Sequence, residues 1–290
     1  MPTESTGAAG TAVHALLTGP RRAGRVIAAL AAAVYVELDP VDPRTTTTGR
    51  VRPGEDVIAL LGRDAVRVPI GVVLPTPLPP GEFRVGAPAQ AGEGRLWVPG
   101  SQVRVTRWWR SDPLPPSSPM GPLQAAQRHP GESPVTLPPA PLPADVAGAA
   151  AALGSALSLG LASGPPAGAL LGLGPGLTPA GDDVLAGALV ALHHLRDPRR
   201  DELAAAVEPL LHRTTTVSAA LLRQAALGRA VPQLAAFVAG LCGPAGVQQD
   251  VLQRLLAVGS TSGACLAFGA SAAAQVPGRA QRPARSVEVW

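Results

Sequence analysis

Between residue 11 and about residue 110 the apolar positions fall in short runs rich in β-branched residues. These are Val34-Tyr-Val-Glu-Leu38, Asp56-Val-Ile-Ala-Leu-Leu61, Val66-Arg-Val-Pro-Ile-Gly-Val-Val-Leu74 and Leu96-Trp-Val98. Gly and Pro separate them, which predicts a small sheet or barrel. Val103-Arg-Val-Thr-Arg-Trp108 alternates with period two, the pattern of a half-buried strand. Residues 1–10 are small and polar, and are expected to fray. After Asp145 the period changes. Ala- and Leu-rich segments at helical spacing run over 146–163, 182–196, 200–211, 215–228, 232–241, 245–258 and 262–275. Asp182 and Asp183 open one of these helices, Thr214 to Thr216 can cap another, and Pro232 suits a first turn. Between the two halves, residues 111–145 hold 11 prolines and read as an extended linker. The expected fold is therefore α+β. It has a β-rich N-terminal domain (1–110), a Pro-rich linker (111–145), an all-helical domain with a Gly-rich loop (146–275) and a flexible tail (276–290).

Composition changes this picture in few places. Aromatics make up 3% of the chain, so the core has to be built from Ala, Leu and Val. Every one of the 24 basic residues is Arg, which by itself lifts the pI to about 10.3 although the net charge is +4. No basic stripe with interleaved aromatics emerges, so nucleic acid is not an expected partner. Arg21-Arg22 precede the apolar run Val26–Val36 and mimic an export signal. Gly24 and Arg25 intrude, however, and Glu37-Leu-Asp39 follows, so a helix or strand of the first domain fits at least as well. Gly, Pro or charge interrupts every apolar stretch of transmembrane length, and no membrane span is expected. Cys242 and Cys265 form no disulfide framework and read as buried thiols of a cytoplasmic protein. The adjacent His193 and His194 do not share a helix face as two metal ligands would, and the absence of Lys excludes lysine nucleophiles.

The candidate chemistry centres on Gly172-Leu-Gly-Pro-Gly-Leu-Thr-Pro-Ala-Gly-Asp-Asp183. Gly174, Gly176 and Gly181 let backbone amides approach a ligand, and the next helix points its N-terminal amides at the same space. Thr178 adds a hydroxyl there. Asp182 and Asp183 have three open readings: they favour the helix dipole as capping acids, hold a Mg²⁺ ion, or bind an amide or ammonium group. Capping alone predicts a loss of about 1 kcal/mol from Asp182→Ala and no ligand phenotype. Two further polar clusters are Thr214-Thr-Thr-Val-Ser218, in which Thr215 and Ser218 share a helix face, and Gly259-Ser-Thr-Ser-Gly263, in which Thr261 and Ser262 start a helix. Thr261 and Ser262 read equally as helix capping or as hydroxyls offered to a ligand, whereas Thr215 and Ser218 in isolation read as ordinary helix residues.

Taken in order, Gly172–Asp183, Thr215-Thr-Val-Ser218 leading to Gly228, and Gly259–Gly263 resemble the AllH-type subunit of oxamate carbamoyltransferase. That resemblance implies a place in allantoin breakdown and the phosphorolysis of oxalurate to oxamate and carbamoyl phosphate, or the reverse, in a complex with other subunits. It also implies that the glycine loop and Thr178 handle a phosphate or carboxylate, with Asp182 and Asp183 on a metal or amide. Thr215, Ser218, Thr261 and Ser262 would then line the substrate site. The alternative is a non-catalytic scaffold or regulatory subunit that binds a small anion or a partner.

Overall fold

A computed structural model describes residues 3–40, 53–78, 83–111, 142–241 and 245–274. Eight strands form a closed barrel: β1 (Thr3–Gly10), β2 (Arg22–Ala29), β3 (Ala33–Leu38), β4 (Val57–Leu61), β5 (Gly71–Val73), β6 (Pro88–Gly92), β7 (Arg95–Val98) and β8 (Ser101–Trp109). Around the barrel the order is β1-β5-β4-β3-β2-β6-β7-β8. The ring closes through a parallel β1–β8 ladder running from Thr3↔Ser101 to Gly10↔Trp109, and β4 and β5 are also parallel. Closure removes the exposed edges that an open sheet of these short strands would carry. The interior is filled by the apolar positions the sequence pattern marked, among them Val34, Val36, Ile58, Leu60, Leu96 and Val103, each 0% exposed.

Two expectations are corrected here. Residues 3–10 do not fray: backbone pairing needs no apolar side chains, and β1 is held on both sides, by β8 and β5. The run Val66–Leu74 yields a strand at Gly71–Val73 alone. Pro69 cannot donate to a ladder, and the Gly71 N–H closes a turn onto the Val68 carbonyl instead. Residues 22–38, which mimicked an export signal, form the antiparallel β2–β3 hairpin.

Helix α1 (His14–Thr18) bridges β1 and β2. The other helices follow from Ala144: α2 (Ala144–Leu159), α3 (Gly164–Leu170), α4 (Ala180–His194), α5 (Arg199–Val207), α6 (Thr216–Ala226), α7 (Pro232–Gly240), α8 (Ala245–Leu256) and α9 (Ser262–Ala274). The molecule is thus mixed α+β. The linker reading for 111–145 falls largely outside the described residues, as does the tail reading for 276–290. Helix α3 went unforeseen because its Gly and two Pro residues look like breakers, yet Pro is well placed in a first turn. Among the described residues no helix is long and apolar enough to cross a membrane.

Helix α4 is the axis of the helical part, buried on nearly every face as a central core helix must be. It crosses α9 at glycines. A Cβ on Gly187 would sit 2.1 Å from the Leu266 carbonyl oxygen, and one on Gly269 would sit 1.9 Å from that of Val184. Helix α6 ties the halves together, since its Val217 and Ala220 belong to the barrel core while Ala219, Leu222 and Ala225 belong to the helical core.

Candidate functional site

The glycine loop folds back on itself before α4 begins. Gly172 has φ +74°, and a Cβ there would lie 2.5 Å from the Arg213 carbonyl oxygen, so no other residue fits without strain. Its N–H donates to Asp182 Oδ1 at 2.7 Å. Asp182 Oδ2 accepts from the Ser218 hydroxyl at 2.6 Å and from the Thr214 hydroxyl. Asp182 is 1% exposed and spends both oxygens on three donors, which lock the loop to the start of α6. Burial raises its pKa, while the Gly172, Ser218 and Thr214 hydrogen bonds work against that rise.

This arrangement corrects the reading of Asp182 as a helix cap. Helix α4 starts at Ala180 behind Pro179 with no side-chain cap, and the carboxylate turns back to the loop instead. Three of the amides at the start of this helix are spent inside the protein as well. The N–H of Gly181 donates to the Leu173 carbonyl, and those of Asp182 and Asp183 to the Pro179 carbonyl, so they are taken by the protein itself. Thr215 is the N-cap of α6: its hydroxyl accepts from the Ser218 N–H at 3.0 Å and donates to the Leu177 carbonyl at 2.5 Å.

Asp183, one residue on, faces the opposite way. It lines a cavity of about 420 Å³ between the barrel and the helices, walled mainly by apolar side chains such as Ala33 and Val68 on one side and Ala186, Val190 and Leu234 on the other. Thr178 and Ser262 line the same cavity. Asp183 is 8% exposed, hydrogen-bonded by Ser262, and its Oδ2 has no partner. Burial pushes its carboxyl up to about 7; the Ser262 hydrogen bond opposes the shift, and the nearby Asp182 charge adds to it. A mostly apolar pocket with a few convergent polar groups and one carboxyl titrating near neutrality is the usual form of a small-molecule site.

Of the residues singled out from sequence, Thr178, Asp183 and Ser262 meet at this cavity. Gly174 and Gly176 take positive φ in the loop without lining it, and Gly181 is packed with its Cβ position 2.0 Å from the Leu170 carbonyl oxygen. Asp182, Thr215 and Ser218 act behind the wall. Thr261 is exposed, and its carbonyl accepts the Cys265 N–H in the first turn of α9. Among the described residues no group of three or more His, Cys, Asp or Glu could hold a metal ion.

Sequence reasoning missed the barrel wall, which includes the exposed Asp64, and two further polar residues. Tyr35, the single tyrosine of the chain, lines the cavity from β3, and burial raises its pKa. Arg229 lines it from the turn after α6; its Nη1 donates to Gln224 Oε1 at 3.0 Å, and its Nε has no acceptor. Neither carries a local motif. The nearest signal for Arg229 was its place directly after Gly228. Cys265 is no nucleophile, because burial pushes its thiol up to about 12, with Asp183 and Asp145 adding to the shift.

Residues 170–274 match the family model of oxamate carbamoyltransferase subunit AllH, the family that the three motifs resemble. The matched span runs from the last residue of α3 to the end of α9, and so includes Thr178, Asp183, Arg229 and Ser262 but none of the barrel wall. No curated protein and no solved structure matches the chain.

Proposed function

We propose that the cavity binds a small carbamoyl- or ureido-bearing acid, and that the chain serves in the cytoplasm as a subunit of a carbamoyl-transferring complex. In this reading the barrel and the helices are two domains that close on one substrate. The observation that carries the reading is Asp183: an unpartnered carboxyl oxygen in an apolar cavity, within the span that matches the family.

The reaction in view is oxalurate plus phosphate to oxamate plus carbamoyl phosphate, or its reverse. A phosphate oxygen attacks the carbamoyl carbon, the bond to the oxamate nitrogen breaks, and that nitrogen must gain one proton. A carboxyl titrating near 7 exists in both forms at neutral pH, so Asp183 can deliver that proton in one direction and take it back in the other. Before the step its free oxygen accepts an N–H of the substrate. Thr178 and Ser262 offer hydroxyls to the carbamoyl oxygen, where charge gathers in the transition state. The Arg229 guanidinium supplies the countercharge for a carboxylate or phosphate. Asp182 is a positioning residue that holds the loop bearing Thr178.

The test is thermal stability of the purified chain against phosphate, carbamoyl phosphate, oxamate and oxalurate, each with and without Mg²⁺. A ligand at 100 times its dissociation constant adds about 2.7 kcal/mol to apparent stability. A rise with one of these acids that disappears in Asp183→Asn, while the unliganded variant stays folded, supports the reading. Absence of any rise, in a chain that still assembles with partner subunits, replaces it with the scaffold or regulatory role.

A further inference from the structure

A second cavity of about 420 Å³ lies on the barrel, lined by β1, by the end of β8 and by residues 63–75 between β4 and β5. It shares no lining residue with the cavity of Asp183. Its chemistry is the opposite of that apolar pocket. Arg63, Arg67 and Arg107 all border it, each exposed, the first two from the β4–β5 connection and the third from β8. Arg63 touches the exposed Asp64 at 3.4 Å, a pair that solvent screens. Arg67 and Arg107 have no acid partner among the described residues.

Three like charges around one concavity repel each other and focus a positive potential into it. Beside them stand two indoles. Trp108 is 37% exposed and touches the ring of His14 at 4.5 Å and 45°, while the N–H of Trp109 has no acceptor. Guanidinium groups bind phosphate oxygens in pairs, and an open indole takes a flat ring by stacking. The arginines face solvent and add little to the fold, and Trp108, although it packs against His14, keeps 37% of its surface exposed.

We propose that this groove is a second ligand site, one that takes a small phosphorylated compound carrying an aromatic ring, a nucleoside mono- or diphosphate being the class that fits. The arginines hold the phosphate, Trp108 stacks on the ring, and Thr6 adds a lining hydroxyl, that of Thr106 being donated to the Gly7 carbonyl at 3.4 Å. A cavity of this volume suits one nucleotide rather than a strand of them.

Isothermal titration of the full chain with ADP tests it, with adenosine and ribose 5-phosphate as the two halves of the ligand. ADP is expected to bind at least tenfold more tightly than either half, and more weakly as salt rises. Arg67→Gln/Arg107→Gln and Trp108→Leu, all at exposed positions, are each expected to weaken ADP at least tenfold while thermal stability stays unchanged. The proposal is overturned if ADP does not bind, if adenosine binds equally well, or if the double arginine variant binds ADP like the parent. Binding of single-stranded oligonucleotides without mononucleotides also overturns it.

Discussion

Asp182 and Asp183 are adjacent and chemically identical, yet the backbone of one helical turn sends them to opposite tasks. Asp182 is saturated by the Gly172 N–H and the Ser218 and Thr214 hydroxyls. Removing it strands three donors in a buried site, so Asp182→Ala should cost about 3 kcal/mol or more, well above the roughly 1 kcal/mol of a lost helix cap. Urea unfolding of parent and variant distinguishes the two figures. Asp183 makes a prediction in pH. Its carboxyl rises from 3.8 to about 7 on folding, so between those values the folded chain binds more protons than the unfolded chain. The stability Asp183 contributes is therefore complete below about pH 4 and lost as pH climbs through 7. Asp183→Asn should lose this slope and gain on the parent as pH rises from 4 to 8, measured by urea midpoints across that range. Parallel curves for the two proteins would show that Asp183 is already ionised at low pH and is not held in an apolar setting.

At the scale of elements, the α4–α9 crossing decides whether the cavity exists, since it places Asp183 opposite Ser262. The backbones meet at Gly187 and Gly269, where even a methyl group would overlap a carbonyl oxygen. Gly269→Ala is expected to destabilise the fold by about 3 kcal/mol, by overpacking. Gly148, also helical but exposed and with nothing within 4 Å of its Cβ position, is the control. There the same change should stabilise by up to about 1 kcal/mol, because Ala is the better helix former. Equal effects at the two glycines in urea unfolding would sink the packing argument. Elements of this kind were largely legible in the sequence: helical spacing marked most helices, and β-branched runs marked the buried strands. Strands β1, β2 and β6 were not, because Gly, Ala and Arg carry little strand signal and a barrel holds them through backbone pairing. The site was legible in the same uneven way. Motif spacing found Thr178, Asp183 and Ser262, but it could not separate the wall of the cavity from the network behind it. Arg229 and Tyr35 stayed hidden because only folding brings the turn after α6 and a barrel strand to the same space.

At the scale of the whole molecule, the cavity belongs to neither half alone: β3 and the β4–β5 connection form one wall, and helices α4, α6, α7 and α9 form the other. What fixes the halves against each other is α6, and one close approach is at Gly54, just before β4. A Cβ there would lie 2.4 Å from the Ala220 amide nitrogen, at a φ of +82° that other residues rarely take. Gly54 lines no part of the cavity. Gly54→Ala should therefore push the barrel off α6, lower stability by about 2–4 kcal/mol, and weaken any ligand of the Asp183 cavity although every lining residue is intact. Hydrogen exchange reads both effects at once. In the parent, a cavity ligand should slow exchange in β3 and α4 together; in the variant, that joint protection should be lost while each half keeps its own slow core. If the variant unfolds less readily than the parent, or binds ligand as the parent does, the two halves are not set by this contact, and the cavity walls are held in place by the remaining packing of α6 and Val231.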